Sequence, residues 1–262
     1  MARSDQKKGA RAQAIDPESM RAGLAQGEFF LEYLPTVSLI DNRCIGAEAL
    51  IRWKRPTGIV PPGEFIPLAD NTPLSGLITY WVIDTVAAEM GDWLRAHPDA
   101  HISINVPVEI LGRGGIAYVA GKAGLVELAP QMILEISERA VPDLLAVKAL
   151  NDGGGLGVRI ALDDFTHTAS ANLAVLARCN LHIVKFDRSL VSQITPQQNS
   201  PAWLDGIAGL IKSSGLQAVA EGVETEQQLA VLRNANIQAA QGFYFSRPIP
   251  AADFLVYYRS WR

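Results

Sequence analysis

Acidic and amide side chains stand in this sequence where apolar ones are expected. Glu48 closes the run 44–47, Asn105 interrupts Ile102-Ser103-Ile104-Asn105-Val106, and Glu135 sits inside Ile133-Leu134-Glu135-Ile136. Asp163 and Asp164 follow Val158-Arg159-Ile160-Ala161-Leu162, and Lys185 and Asp187 flank Phe186. Glu221 follows Ala218-Val219-Ala220, Glu224 comes three residues later, and Gln241 precedes Gly242-Phe243-Tyr244-Phe245. Charged side chains are rarely fully buried unless paired or bound to metal. One acid at a strand end is ordinarily a helix cap or a solvated group, but the same placement on six successive strands is a pattern. If those ends converge, five or six carboxylates repel one another unless cations neutralise them. Hard oxygen donors with an Asn amide suit Mg²⁺ or Mn²⁺ rather than zinc. The adjacent Asp163 and Asp164 suit a pair of ions about 3.5–4 Å apart, which activates water and stabilises the attacking and leaving oxygens of a phosphoryl displacement. Lys185 then supplies a cation near the nucleophilic water or the phosphate. The residues alone point to metal-dependent hydrolysis of an anionic ester, a phosphodiester first. His97, His101, His167 and His182 show no metal-ligand spacing and read as helix-end, loop or surface groups.

The elements that must position these groups alternate. Residues 29–40 and 45–53 are strand-like around the turn candidate Asp41-Asn42, which reads as an antiparallel hairpin. Short apolar runs then alternate with stretches of helical spacing. The strands fall at 101–106, 132–136, 158–165, 182–187, 217–223 and 239–245, and helices at 77–97, 144–152, 202–214 and 226–234. Thr225 and Gln228 have the form of a capping box, and Gly215 closes the helix before it. Eight strands alternating with helices over about 250 residues is the arithmetic of a (β/α)8 barrel of the TIM type. An open doubly wound sheet is the rival, but the sequence holds neither G-x-G-x-x-G after its first strand nor G-x-x-x-x-G-K-[ST]. In a barrel the strand C-termini share one mouth, where active sites are built.

Composition narrows the class. The 262 residues are 48% hydrophobic and 19% charged, an ordinary globular balance that excludes disorder, collagen and coiled coil. No apolar run reaches the roughly 18 residues that span a bilayer, so no membrane insertion is expected. Residues 1–16 read as a disordered polar tail and 17–262 as one domain. The N-terminus lacks the apolar segment of a secretory signal. Two cysteines, Cys44 and Cys179, make no disulfide framework, so a cytoplasmic location is expected. The net charge of −4 argues against DNA or RNA as partner. Trp81 and Trp93 are expected in helix packing, and Phe243 and Phe245, alternating as a strand face would, in the core. Tyr257, Tyr258 and Trp261 either dock on the barrel or make a partner surface.

At these positions the chain resembles the EAL family of cyclic di-GMP phosphodiesterases. The name-giving motif reads Glu48-Ala49-Leu50-Ile51-Arg52-Trp53. The likeness continues through Pro62-Gly63-Glu64-Phe65-Ile66-Pro67-Leu68-Ala69-Asp70, Ser103-Ile104-Asn105-Val106, Leu134-Glu135-Ile136-Ser137-Glu138 and Ala161-Leu162-Asp163-Asp164-Phe165. It ends with Val184-Lys185-Phe186-Asp187, Val219-Ala220-Glu221-Gly222-Val223-Glu224-Thr225 and Gln241-Gly242-Phe243-Tyr244-Phe245-Ser246-Arg247-Pro248. The resemblance implies a barrel with one antiparallel strand and hydrolysis of cyclic di-GMP to linear pGpG with two Mg²⁺ or Mn²⁺ ions. Carried over by position, it gives Glu48, Asn105, Glu135 and Asp163 to one ion, and Asp163, Asp164 and Glu221 to the other. It implies catalytic roles for Lys185, which contacts the attacking water, and for Glu48 and Glu221. It places Leu50 and Arg52 on the substrate, and Asp187, Glu224 and Gln241 around the metals, water and substrate. Glu138 anchors the loop after Asp164. A homodimer and partner sensor or GGDEF domains are also implied, the latter absent from these 262 residues.

The departures lie in that loop. The family's usual Gly-Thr-Gly-Tyr-Ser-Ser-Leu is replaced by Thr166-His167-Thr168-Ala169-Ser170-Ala171-Asn172-Leu173, and the spacing to Lys185 is one residue longer. Thr cannot adopt the positive φ open to Gly, so the loop's path differs. Leu34 stands where a substrate-contacting Gln is common. The intact set of acids favours an enzyme, whereas the rewritten loop favours weak turnover or an inactive cyclic di-GMP receptor that acts through binding and partner contacts. A nucleotide-free scaffold is the third reading.

Overall fold

Asn42, in left-handed backbone at φ 62°, turns the chain between β1 (Phe29–Ser38) and β2 (Cys44–Arg55), which pair antiparallel as the hairpin reading requires. This computed structural model describes residues 14–137, 142–153, 157–166 and 178–261. The short β3 (Gly58–Val60) folds back on the end of β2. From β2 onward the parallel strands β4 (His101–Asn105), β5 (Met132–Ser137), β6 (Arg159–Phe165), β7 (Ile183–Phe186), β8 (Gln217–Ala220) and β9 (Ala239–Ala240) follow one another round. β1 closes the ring, antiparallel to both β9 and β2. The result is the expected eight-stranded barrel with one antiparallel strand.

Local chemistry sets the helices. Ala202–Ser214 ends at Gly215 in left-handed backbone, and Glu226–Asn234 opens on the complete Thr225–Gln228 capping box. The helix expected at 77–97 runs Pro73–Ala96, because the Thr72 side chain accepts from Leu74 N and Pro73 fits the first turn. The strands expected at 217–223 and 239–245 stop early. Gly222 (φ 68°) and Gly242 (φ 149°) break the extended path, and a Cβ on Gly242 would meet Val223 N and O at 2.3 Å. This corrects the strand-face reading of Phe243 and Phe245: Phe243 lies past the strand, 48% exposed.

Outward-facing strand residues pack under the helices. Trp53 is sealed against Phe29 and Phe65. Trp93 meets Phe254 and Tyr258, so the C-terminal helix Ala251–Ser260 docks on the barrel's coat. Trp81 edges onto Phe29. Cys44 and Cys179 are buried free thiols. Among the described residues no helix is long and apolar enough to cross a membrane.

The barrel interior is layered, as alternation of strand side chains demands. Ile133, Ala161 and Ile183, with Val219, form a small apolar plug. Two residues further along the same strands stand Glu135, Asp163, Lys185 and Glu221, so the plug is the floor beneath the polar layer.

Candidate active site

The polar layer is organised by one cation. Lys185 Nζ lies 2.9 Å from Glu48 Oε2, 2.8 Å from Glu135 Oε2, 3.2 Å from Asp163 Oδ1 and 2.6 Å from Glu221 Oε1. Asn105 Nδ2 donates to Glu48 Oε1 at 2.9 Å. Five strands thus deliver four carboxylates to one ammonium that is itself only 2% exposed. Asp164 adds a fifth acid. Its backbone is left-handed at φ 57°, and the β6–β7 register slips between Leu162 and Phe165. That kink brings two consecutive side chains to one mouth, which a regular strand would send to opposite faces. Carboxylate oxygens of Asp163, Asp164 and Glu221 lie within 4.8 Å of one another.

Burial and crowding set the protonation. Burial raises the Glu135 carboxyl well above the usual range, and the Glu48 charge reinforces it against Lys185. Burial also raises Asp163. For Glu48 burial is outweighed by the Lys185 charge and by hydrogen bonds from Lys185 and Asn105, so its carboxyl falls below the usual range. Burial alone would lower Lys185, but Asp163, Glu135, Glu221 and Glu48 together hold it well above normal, so it stays an ammonium. Burial pushes the Glu221 carboxyl up to about 8, with Asp163 and Glu48 adding to the rise and Lys185 opposing it.

This has a consequence for stability. An unfolded chain ionises the same glutamate near 4.5, so between about pH 4.5 and 8 the folded chain holds a proton that the unfolded chain has lost. Stability of the metal-free chain therefore falls as pH rises through that window, Asp163 and Glu135 acting in the same sense. Glu48, lowered, keeps its stabilisation throughout and loses it only on acidification. Thermal unfolding in EDTA should show Tm falling from about pH 5 to about pH 8, with Mn²⁺ restoring more at the upper end. A flat EDTA profile contradicts this.

The donor set fits divalent cations. Asp163, Asp164 and Glu221 supply all-oxygen ligation, and no histidine or cysteine joins them among the described residues. Asp163 Oδ1 is buried and makes only the long ion contact to Lys185, with no hydrogen bond. The set Glu48, Asn105, Glu135 and Asp163 also has the right chemistry, but the Lys185 ammonium already lies against its three carboxylates. A cation there requires Lys185 to draw back.

Above the ring a cavity of about 290 Å³ opens outward, lined by Leu34, Leu50, Gly222, Glu224, Phe243 and Arg188 together with Glu48, Asp163, Asp164 and Glu221. Leu50 and Glu224 line this opening. Three others do not face this opening. Arg52 Nε is held by Glu32 at 2.8 Å across the β1–β2 pair. The Asp187 side chain caps the short helix Arg188–Val191 by accepting from Ser189 N. Gln241 donates to Thr36 Oγ1 and lines the space beneath the ring. Glu138 and residues 167–173 lie outside the described residues.

Two mouth groups were not singled out from sequence. Arg188 pairs with Glu224 Oε1 at 2.7 Å, and a Cβ on Gly222 would strike its Cγ at 2.4 Å, so the glycine makes room for it. Phe243 offers an exposed ring with the Arg247 guanidinium 4.3 Å from its centroid. Arg188, one residue after Asp187 at a strand's C-terminal end, carried the signal of position; Phe243 carried none, because its strand ends unseen at Gly242.

The family model described as EAL domain matches residues 18–248. An uncharacterized protein of Mycobacterium tuberculosis is 36% identical over 252 residues, covering 90% of this chain and 80% of that protein. The probable cyclic di-GMP phosphodiesterase PdeB of Escherichia coli is 35% identical over 229 residues, covering 86% of this chain and 43% of that protein. Among solved structures, the c-di-GMP complex of the PaMucR phosphodiesterase superposes with a TM-score of 0.80 at 32% identity, covering 90% of this chain and 98% of that one.

Proposed function

Because the chain belongs to the EAL domain family, we propose that it hydrolyses one phosphodiester of cyclic di-GMP to give linear pGpG, with two Mg²⁺ or Mn²⁺ ions. The observation that carries this reading is the ring of Glu48, Glu135, Asp163 and Glu221 about a buried Lys185, with Asp164 kinked into the same mouth. Glu48, Asn105, Glu135 and Asp163 would hold one ion, and Asp163, Asp164 and Glu221 the other. Bound ions polarise the scissile phosphate and make water nucleophilic at neutral pH.

The chain's own groups do the rest. Lys185, held as an ammonium, donates hydrogen bonds toward the attacking water or a phosphate oxygen and cannot act as a base. The water's proton passes to one of the carboxylates of the ring. Water oxygen bonds to phosphorus, the bond to the sugar 3′ oxygen breaks, and that oxygen takes up a proton, leaving the 5′ phosphate of pGpG. The mouth is built to receive the anionic diester beside Arg188 and the base over Phe243. A cytoplasmic location and a homodimer belong to this reading.

The test is incubation with cyclic di-GMP and Mn²⁺ or Mg²⁺, with chromatography for pGpG. Accumulation of pGpG that EDTA abolishes supports the enzyme. Saturable cyclic di-GMP binding with no pGpG makes the chain a receptor instead, the outcome the rewritten loop 166–172 would favour. A narrower prediction concerns Arg188: Arg188→Ala should raise KM about tenfold, the equivalent of about 1.4 kcal/mol, and leave kcat within about twofold. An unchanged KM removes Arg188 from the substrate site.

A further inference from the structure

The barrel is not plugged from end to end. Beneath the acid ring a second cavity of about 290 Å³ runs toward the N-terminal face, and its mixed walls carry the polar groups Thr36, Ser38, His101, Ser103, Arg159 and Gln217. At its lower end Arg159 is a cation without a counter-charge among the described residues. Its Nε is buried and donates to nothing, and its one hydrogen bond is a long 3.4 Å contact from Nη1 to Gln217 Oε1. No carboxylate among the described residues lies within ion-pair distance, and burial, with no acid to offset it, holds the guanidinium below its normal pKa. The acids that border the cavity are engaged or remote. Glu135 belongs to Lys185, Asp41 is tied to Arg43, and Asp99 is exposed at the rim. His101 is buried and neutral, pushed down to about 3 by burial and then by the Arg159 charge.

A half-buried guanidinium with an unmet donor, facing a polar cavity, is an unfavourable arrangement unless an anion completes it. We propose that this end of the barrel is a second binding site, for a small oxyanion such as inorganic phosphate, held by the Arg159 guanidinium with Gln217, His101 and Ser103 in the surrounding wall. A guanidinium fork donates two parallel hydrogen bonds to an oxyanion. A neutral imidazole and a hydroxyl each add one donor. Among the described residues none lines both this cavity and the mouth cavity, so the site is separate from the cyclic di-GMP cavity and does not depend on the activity proposed above.

The test uses the full chain in EDTA, where the mouth holds four carboxylates to one ammonium and repels anions. Phosphate is titrated at constant ionic strength against chloride, with Tm and calorimetric binding as readouts. The expected result is saturable one-to-one binding, with Tm raised by about 3 °C at ten times Kd. Arg159→Gln should abolish the effect. Arg159→Lys, which keeps the charge but loses the fork, should weaken binding tenfold or more and serves alone if the Gln variant does not fold. Absence of any phosphate effect beyond chloride, or a variant that binds within twofold of the parent, overturns the proposal.

Discussion

Glu48→Ala is expected to cut pGpG formation by about a thousandfold or more, while cyclic di-GMP affinity falls by no more than about tenfold. Glu48 is only 6% exposed and touches both Lys185 and Asn105, so it links the cation and the amide of the ring. Its removal deletes a ligand from one ion set and frees Lys185 to shift among the remaining acids. Leu34, Leu50, Arg188 and Phe243 line the mouth above the ring and in the proposed reading carry the substrate, which is why binding should outlast turnover. Three carboxylates, Glu135, Asp163 and Glu221, still balance Lys185 in the variant, so it should fold with a lowered Tm. Steady-state rates beside equilibrium binding check this, and activity within tenfold of the parent contradicts the role given to Glu48.

Lys185→Met should act on the fold as well as on the reaction. It leaves Glu48, Glu135, Asp163 and Glu221 facing one another with no internal cation. Removing one partner from a buried ion pair typically costs about 3–5 kcal/mol, although protonation of the raised acids absorbs part of that here. In EDTA the variant should unfold at lower temperature than the parent, more so as pH rises. Mn²⁺ should recover much of the difference, because a divalent ion can take the cation's place among the acids. Turnover should be lost even when metal restores stability. Equal Tm values in EDTA would mean that the ring does not rely on Lys185 for charge balance.

Much of this architecture was legible from residue order, for physical reasons. The hairpin, the parallel strands and the capped helices follow from alternation, from Asn42 in its turn, and from Thr225, Gln228 and Gly215 at helix ends. The ring was legible because helix capping or solvation explains one acid at a strand end but not the same placement on successive strands, and Glu48, Glu135, Asp163 and Glu221 do meet. Their meeting point was less so: Lys185 was expected beside a water or phosphate, and it sits at the centre of the carboxylates. Periodicity cannot tell how far a buried side chain reaches. Arg52 within β2, and Asp187 and Gln241 just past their strands, show the same limit, for they are turned toward Glu32, a helix cap and the cavity below. Phe243 was misread because the positive φ of Gly242 ends its strand, and backbone sign is not written in hydrophobic spacing. Arg159 was passed over because an arginine at the start of a strand ordinarily faces solvent.

If this ring holds divalent ions, Mn²⁺ titrated into the EDTA-stripped, dialysed chain, with free Mn²⁺ followed by electron paramagnetic resonance, should be taken up saturably at two ions per chain. Uptake should fall markedly in Asp163→Asn, whose carboxylate is proposed for both sets. A free-ion signal that rises in step with added Mn²⁺, as in buffer alone, would mean that the ring holds no divalent ion.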